Sequence, residues 1–420
     1  MRSAIVAILF LAFAGPGDGQ TQRPTQQPAP GREQVAAGSA TETVSANGKQ
    51  GWSYDPDAGF VVQHGDFKWM SWGYGEHVFR PEGDGFWRRV RQGMEFDLPR
   101  FTTHYRSAVV YEVDFTDTNF FRDRSKLNIV ENLYLTIQNA DDPGKFRALF
   151  GENTHILSRE DNLSSGNLPT INRSLILEEH GSVHSFGTQF GLELVKSMGP
   201  RYTIALSALD NRGSLNTSNP RYVVGNSLAV KGTALLLNDE KRGRKLLVGT
   251  GLDQTHDIRD GTWSFTSAVA GQALGNAPAS GNKLSVESDL SYTAQVHGHP
   301  YSLETEHIYS NFSKSQTNVP GGYVMAQFSA FDSIRTGDLD PFLRYDWVHL
   351  SASSISAPIT QQAIRAGLNW NLPETHKLVS FHLEYACNFI RGPVLHLPPT
   401  GAQNELGLEL RFNATRYTRH

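Results

Sequence analysis

The side chains that could do chemistry in this chain are charged groups placed at every second position. Across Arg88–Phe115, Arg89, Arg91, Glu95 and Asp97 share one phase, against Val90, Met94, Phe96 and Leu98 on the other. After a short Leu98-Pro99-Arg100 break, His104, Arg106, Glu112 and Asp114 oppose Tyr105, Val109, Tyr111, Val113 and Phe115. The same charged phase recurs at Lys145, Arg147, Arg344, Arg365 and Arg411. Guanidinium groups offer a planar fork that matches oxyanions, and an ammonium offers a point charge. A face lined by Arg89, Arg91, Arg106, Lys145, Arg147, Arg344 and Arg365 could therefore attract anions. The phase also carries Glu112, Asp114, Glu193, Glu287, Asp289, Glu304, Glu306, Asp346, Glu384 and Glu409, so carboxylates outnumber bases. The competing role for each arginine is structural, as one half of an ion pair that stiffens the scaffold.

Other candidate groups are weaker. His297, His299 and His307 could bind a metal, but the set lacks a fourth ligand and Gly298-His299-Pro300 reads first as a turn. The basic run Lys241-Arg242-Gly243-Arg244-Lys245 reads as a solvated turn, with contact to anionic headgroups or lipopolysaccharide as the alternative. Cys387 is the single cysteine, which excludes an intramolecular disulfide framework. No phosphate-binding glycine loop, nucleophile elbow or paired-histidine zinc motif is present. No cofactor is expected.

Alternation with period two places successive side chains on opposite faces of β-strands. The pattern repeats from Gly59 to the C-terminal Glu405–Phe412 segment, with Trp263–Gln272 counted among the strands. It yields an all-β chain of about sixteen strands, each about ten residues long. The connections alternate between tight turns, such as Ser197–Pro200, and long loops, such as Glu152–His184. A soluble antiparallel sheet, wet on one face, would fit the alternation alone. Strand length and short-against-long connections fit a transmembrane antiparallel β-barrel better, with apolar residues facing lipid and polar ones the lumen. Short turns would then lie at the periplasmic end and long loops outside. Aromatics such as Tyr105, Tyr345, Trp347, Trp370, Phe381 and Tyr385 would form the interfacial girdles.

The chain has 420 residues and a formal net charge of −4, which gives no whole-molecule argument for nucleic acid. Arg2, the apolar run Ala4–Ala14 and Ala12-Phe13-Ala14 read as a cleaved export signal over residues 1–19. Residues 20–50 are rich in Gln, Thr, Pro and Gly and read as a disordered leader. Residues 51–420 form the expected barrel domain, delivered to the outer membrane.

Several stretches resemble the phosphate-selective porin family (porins O and P) of Gram-negative outer membranes. They are Arg88–Glu95, Tyr111–Phe115, Asn132–Leu135, Phe146–Glu152 with the long loop to Ile176–Glu179, and Ala366-Gly367-Leu368-Asn369-Trp370-Asn371. The resemblance implies a sixteen-stranded, homotrimeric channel, a loop after the Phe146 strand that folds inward to narrow the pore, and phosphate or other small anions as solutes. Two features depart from the family pattern. The Pro-Phe expected after the Phe146 strand is replaced by Gly151-Glu152-Asn153-Thr154, and eight residues follow Phe412. The alternative is a secreted or periplasmic soluble β protein that binds or acts on carbohydrate, with Glu304 and Glu306 as the sugar-site carboxylates. A barrel enzyme is a third class, without a nucleophile context to support it.

Overall fold

The computed structural model describes residues 50–413, apart from 56–58, 65–66, 80–84, 100–101, 116–129, 143, 164–167, 179–187, 211–224, 260, 270–272, 297, 331–336, 374–377 and 394–399. The export signal and nearly all of the leader lie outside these residues, as do His297 and the tail after Asn413.

Eighteen strands form one antiparallel sheet, and sixteen of them close into a ring. A hairpin of β1 (Gln50–Asp55) and β2 (Gly59–His64) precedes the ring. The wall begins with β3 (Phe67–Phe79), β4 (Gly85–Asp97), β5 (Tyr105–Asp114), β6 (Val130–Asn139) and β7 (Phe146–Thr154). It continues through β8 (Thr188–Ser197), β9 (Tyr202–Asp210), β10 (Asn226–Asp239) and β11 (Arg244–Ile258). Two short strands, β12 (Thr262–Thr266) and β13 (Ala273–Pro278), pair only with each other. The wall resumes with β14 (Gly281–Val296), β15 (His299–Phe312), β16 (Thr317–Phe328) and β17 (Asp338–Leu350). It ends with β18 (Ile359–Asn371), β19 (Val379–Arg391) and β20 (Thr400–Asn413). Each wall strand pairs with its sequence neighbour, β11 pairs directly with β14, and β20 returns to β3.

Among the described residues the closing seam is short. It runs from Leu408↔Phe79 to Asn413↔Tyr74, and the rest of that edge of β3, from Phe67 to Ser71, is taken by β2. The hairpin therefore extends that edge of β3 within the same sheet, and the sixteen ring strands begin at Phe67.

Burial follows the alternation and inverts the order of a soluble protein. Leu228, Leu284, Leu343, Ile364, Leu383 and Leu406 are exposed on the outer face. Glu112, Lys283, Glu306, Arg344, Arg365 and Glu409 are buried on the inner one. In a membrane that is the favourable arrangement, because apolar side chains meet lipid and backbone groups pair from strand to strand around the closed ring. Close approach on the inner side needs glycine at Gly93, where a Cβ would overlap the Trp72 ring. Trp72 packs there with Val110, Tyr134 and Leu149.

The Trp263–Gln272 segment, expected as a wall strand, is a lumenal hairpin instead. Five residues of β12 are too short to cross a bilayer, which takes about 9–11. Its alternating apolar residues Trp263 and Phe265 are fully buried, against the inward segment described below rather than against lipid. The connections follow the expected asymmetry in most places, but the β15–β16 connection at the long-loop end is only residues 313–316.

Candidate functional site: the inner wall and its inserts

The segment after β7 runs along the inner wall as a belt, and each contact comes from a wall side chain. His155 meets Ser227 of β10 and Asp253 of β11 through Nε2, both at 3.3 Å. Lys231 Nζ donates to the Leu157 carbonyl at 2.7 Å and pairs with Glu287 at 3.1 Å and Asp289 at 2.8 Å. The Arg159 and Glu160 amides donate to Glu306 of β15 at 3.0 and 3.1 Å, while the Arg159 guanidinium pairs with Glu304 at 3.0 Å.

Further round the wall, Arg344 of β17 lies 2.6 Å from Glu160 and 2.9 Å from Asp346. Its guanidinium stacks 3.9 Å above the Tyr323 ring. Arg365 of β18 binds Glu384 and donates to the carbonyls of Arg173 at 2.9 Å and Asn172 at 2.8 Å. Arg411 of β20 binds Glu409 and donates to the carbonyls of Leu168 and Thr170. Glu384 also accepts the Ile171 amide at 2.7 Å. Three buried arginines are thus paired with carboxylates, and two of them, Arg365 and Arg411, also satisfy backbone carbonyls of a segment that has almost no ladder of its own, while Arg344 binds its Glu160 side chain. A buried arginine can do this because each guanidinium carries five donors in a fixed fork.

The β12–β13 hairpin packs on this belt. Asn172 donates to the carbonyls of Ala268 and Val269 at 3.2 and 2.8 Å. Gln361 of β18 donates to Thr266 O at 2.6 Å, and the Ala268 and Val269 amides donate to Asn388 and Glu405. Ile171, Ile176, Trp263, Phe265, Val269 and Phe312 share one apolar cluster inside the barrel. The inserts are therefore fixed from β10 round to β20.

Along β3–β9 the described inner wall is different. Arg91 pairs with Glu112 at 3.2 Å, Asp114 at 3.0 Å and Glu131 at 3.1 Å. Arg106 pairs with Glu95 at 3.3 Å, and Arg147 with Glu193 at 3.4 Å. In the last two pairs the guanidinium is the exposed partner, 31% against 9% and 38% against 6%. Arg106, Gln138 and Arg147 form one register row across β5, β6 and β7.

Alternation therefore located Arg91, Arg106, Arg147, Arg344, Arg365, Glu112 and Asp114 on the inner face, but in two different settings. Arg344 and Arg365 are buried under the belt, whereas Arg106 and Arg147 are partly exposed beside their carboxylates. Arg89 is half-buried and sits opposite Glu76 in the register. Lys145 does not belong to the wall: β7 starts at Phe146, and Lys145 is an exposed turn residue whose amide donates to Asp142 O. Alternation missed Arg88, because a bulge between Glu76 and His77 on the pairing with β4 gives that strand one extra residue. The bulge brings Arg88 within 3.4 Å of Glu409 and 3.9 Å of Glu76. It also missed Lys231 and Lys283, although both lie in alternating strands with the inward phase.

His155, Ser227 and Asp253 invite comparison with a nucleophilic triad, and the geometry answers it. Ser227 donates to Asp253 at 2.5 Å, both meet the same histidine nitrogen, and His155 Nδ1 accepts the Leu157 amide at 3.1 Å. A triad needs the acid and the nucleophile on opposite ring nitrogens. All three residues are fully buried, and Lys283 holds Asp253 at 2.7 Å. The cluster secures the start of the belt. Among the described residues no group of three or more His, Cys, Asp or Glu is placed to hold a metal ion.

Burial raises the pKa of Glu160, but Arg344 and the Ser174 amide outweigh it and hold the carboxyl below its ordinary 4.5. A depressed carboxylate stabilises the folded belt above the unfolded pKa and loses that contribution as pH falls through the folded one. Acidification below pH 4.5 is thus expected to loosen the belt, seen as rising current noise and conductance in bilayer recordings. Glu160→Gln should show the loosened behaviour already at neutral pH. A pH-independent trace in both proteins would contradict the assignment.

The fold and inner wall define a class: a sixteen-stranded transmembrane barrel of the outer-membrane type, with a belt folded into its lumen. Comparison with solved structures finds the chain similar in fold to several outer-membrane proteins and porins. OmpT of Vibrio cholerae, an outer membrane protein solved in a trimer form, aligns with TM-score 0.52 and 10% identity over 83% of this chain and 99% of its own. The anion-selective porin of Comamonas acidovorans gives 0.51 and 10% over 83% and 99%. The outer membrane channel DcaP of Acinetobacter baumannii gives 0.51 and 14% over 83% and 97%. At these identities the likeness is one of fold. No family model and no curated protein sequence matches the chain.

Proposed function

We propose that the protein is an outer-membrane porin, a water-filled channel for passive diffusion of small hydrophilic solutes, exported by a signal peptide over residues 1–19. The observation that carries this reading is the closed ring with an apolar outer face and a charged inner face, only part of which the belt covers. Reconstitution into planar bilayers tests it: discrete conductance steps are expected, and a purified, folded protein that gives none would end the reading. The soluble carbohydrate-active alternative fails on the same geometry. It would leave the outer leucines in water, and Glu304 and Glu306 are already engaged by Arg159 and the belt amides.

Anions are the proposed solutes, because Arg106 and Arg147 present their guanidinium ends to the lumen and turn the paired carboxylates behind them. Reversal potentials in a KCl gradient should show anion preference, and Arg106→Gln with Arg147→Gln should lower the chloride-to-potassium permeability ratio several-fold. Cation preference in the unmodified channel would reject the anion reading and leave the porin reading intact. Phosphate is the anion that the family resemblance implies. A fall in chloride current on adding phosphate would support it, and an unchanged current would oppose it. A homotrimer is the proposed assembly, in keeping with the trimer form of the Vibrio protein, and cross-linking in detergent checks it.

A further inference from the structure

The outer face of β8–β11 combines two features that neither the lumen nor the closure of the ring explains. The first is a concave apolar groove of about 410 Å³, lined by Leu192, Leu194, Leu206, Leu228, Val230 and Leu252 and floored by Ala208. The register builds it. Leu192, Ala208 and Leu228 lie in one row and Leu194, Leu206, Val230 and Leu252 in the next, so the alanine leaves a hollow between leucines.

The second feature is a cluster of bases at the short-turn end of the same four strands. Lys196 and Arg201 flank the β8–β9 turn, and Lys241, Arg242, Arg244 and Lys245 flank the β10–β11 turn; all six are exposed. The acids on these two turns are Asp239 and Glu240, of which Asp239 holds Arg242 at a loose 3.9 Å, and the adjoining β6–β7 turn adds Asp141 and Asp142. Arg244 pairs in register with Asp239, so it shares the outer face with Leu246 and Leu252.

The vertical spacing connects the two. Leu252 lies eight residues from Arg244 along β11, about 27 Å of strand at roughly 3.4 Å per residue. At a tilt of about 40° this is a height of about 20 Å. That compares with about 15 Å for half the hydrocarbon core of a bilayer, plus the few ångströms to the headgroup phosphates. Lys196 lies two residues from Leu194 and bridges the gap.

We propose that this face is a binding site for an anionic phospholipid of the periplasmic leaflet, its acyl chains in the Ala208 groove and its phosphate among Lys196, Arg201 and the Lys241–Lys245 turn. The proposal rests on the membrane-barrel reading. The short-turn end is the periplasmic one in barrels of this type, which also removes lipopolysaccharide as the partner of the basic run. Charge complementarity selects the ligand class, because each base near a membrane surface strengthens attraction to anionic lipid.

Native mass spectrometry of the full-length protein released from detergent, with equimolar phosphatidylglycerol and phosphatidylethanolamine, tests the site. The protein should retain phosphatidylglycerol preferentially. Joint replacement of Lys196, Arg201, Lys241 and Arg244 by Gln should cut that preference about tenfold or more. Ala208→Trp, which fills the groove and leaves the charges in place, should reduce retention of both lipids. Equal retention of the two lipids by the unmodified protein, or retention that neither variant alters, would overturn the proposal. So would an Ala208→Trp variant whose only change is loss of self-association, since the groove would then be covered by a second copy. Conductance measured in parallel in phosphatidylethanolamine bilayers reports on the channel itself, so failure of the lipid site and failure of the porin reading are separate results.

Discussion

Arg344→Leu is expected to raise single-channel conductance several-fold while leaving a folded, heat-modifiable barrel. The arginine is fully buried and is the cation that faces Glu160 of the belt and Asp346 of the wall. Its loss strips Glu160 of its guanidinium and leaves Asp346 the Arg365 guanidinium at 3.5 Å, in a region that water reaches poorly; breaking a buried pair in this way typically costs about 3–5 kcal/mol. The wall has no cheap way to relieve that cost, because Asp346 is fixed in a strand hydrogen-bonded on both sides. The belt does: between His155 and Ser174 it is held chiefly by side chains, and it can move Glu160 into the lumen water. The change should therefore appear as belt release rather than as unfolding. Single-channel recording measures it, and an unaltered conductance with an unaltered melting profile would show that Arg344 does not hold the belt. Glu160→Gln in the same background should add little further, since both changes remove one interaction.

Trp263→Ala should have the next largest effect. The indole is fully buried, lies 6.4 Å from the Phe312 ring and belongs to the cluster that joins the hairpin to the belt. Truncating a buried tryptophan costs about 3–5 kcal/mol, part of it from the cavity that remains. The hairpin is otherwise tied by hydrogen bonds that Asn172 and Gln361 donate to it and that Asn388 and Glu405 accept from it. Each of those contributes roughly 1 kcal/mol, so the loss should detach the hairpin. Limited proteolysis should then cut near residues 259–280 in the variant and spare the wall. A cleavage pattern identical to that of the unmodified protein would show that the apolar cluster is not what seats the hairpin.

Much of the wall was legible in the sequence because a strand between lipid and water writes its two faces in alternate letters. Leu284, Val286 and Leu290 against Glu287 and Asp289 could be read without coordinates, and so could the phase of Arg344 and Arg365. What alternation could not carry was the presence of a third environment. Trp263 and Phe265 alternate like wall residues, and nothing local distinguishes packing on lipid from packing on the belt. The length of β12 was the available clue. Arg88 was lost for a related reason: a bulge resets the phase by one residue and leaves no mark in composition. The belt itself was anticipated only through family resemblance. Its contacts join residues far apart in sequence, such as Arg411 with Leu168, and no spacing rule reaches that far.

The short seam between β20 and β3 has a mechanical consequence. Among the described residues the ladders between β17 and β18 and between β19 and β20 span thirteen residue pairs, whereas the joint that makes the ring a ring spans six, Leu408–Asn413 on Tyr74–Phe79. Among the described residues the β6–β7 ladder is equally short, six pairs from Leu133↔Glu152 to Gln138↔Arg147, so under heat or pulling force the seam and the β6–β7 joint are where this cylinder should part first. The β1–β2 hairpin takes on a purpose in that light. By covering Phe67–Ser71 it pairs a stretch of β3 that the described residues of β20 do not take, and it keeps that part of the edge from presenting unpaired groups to another chain.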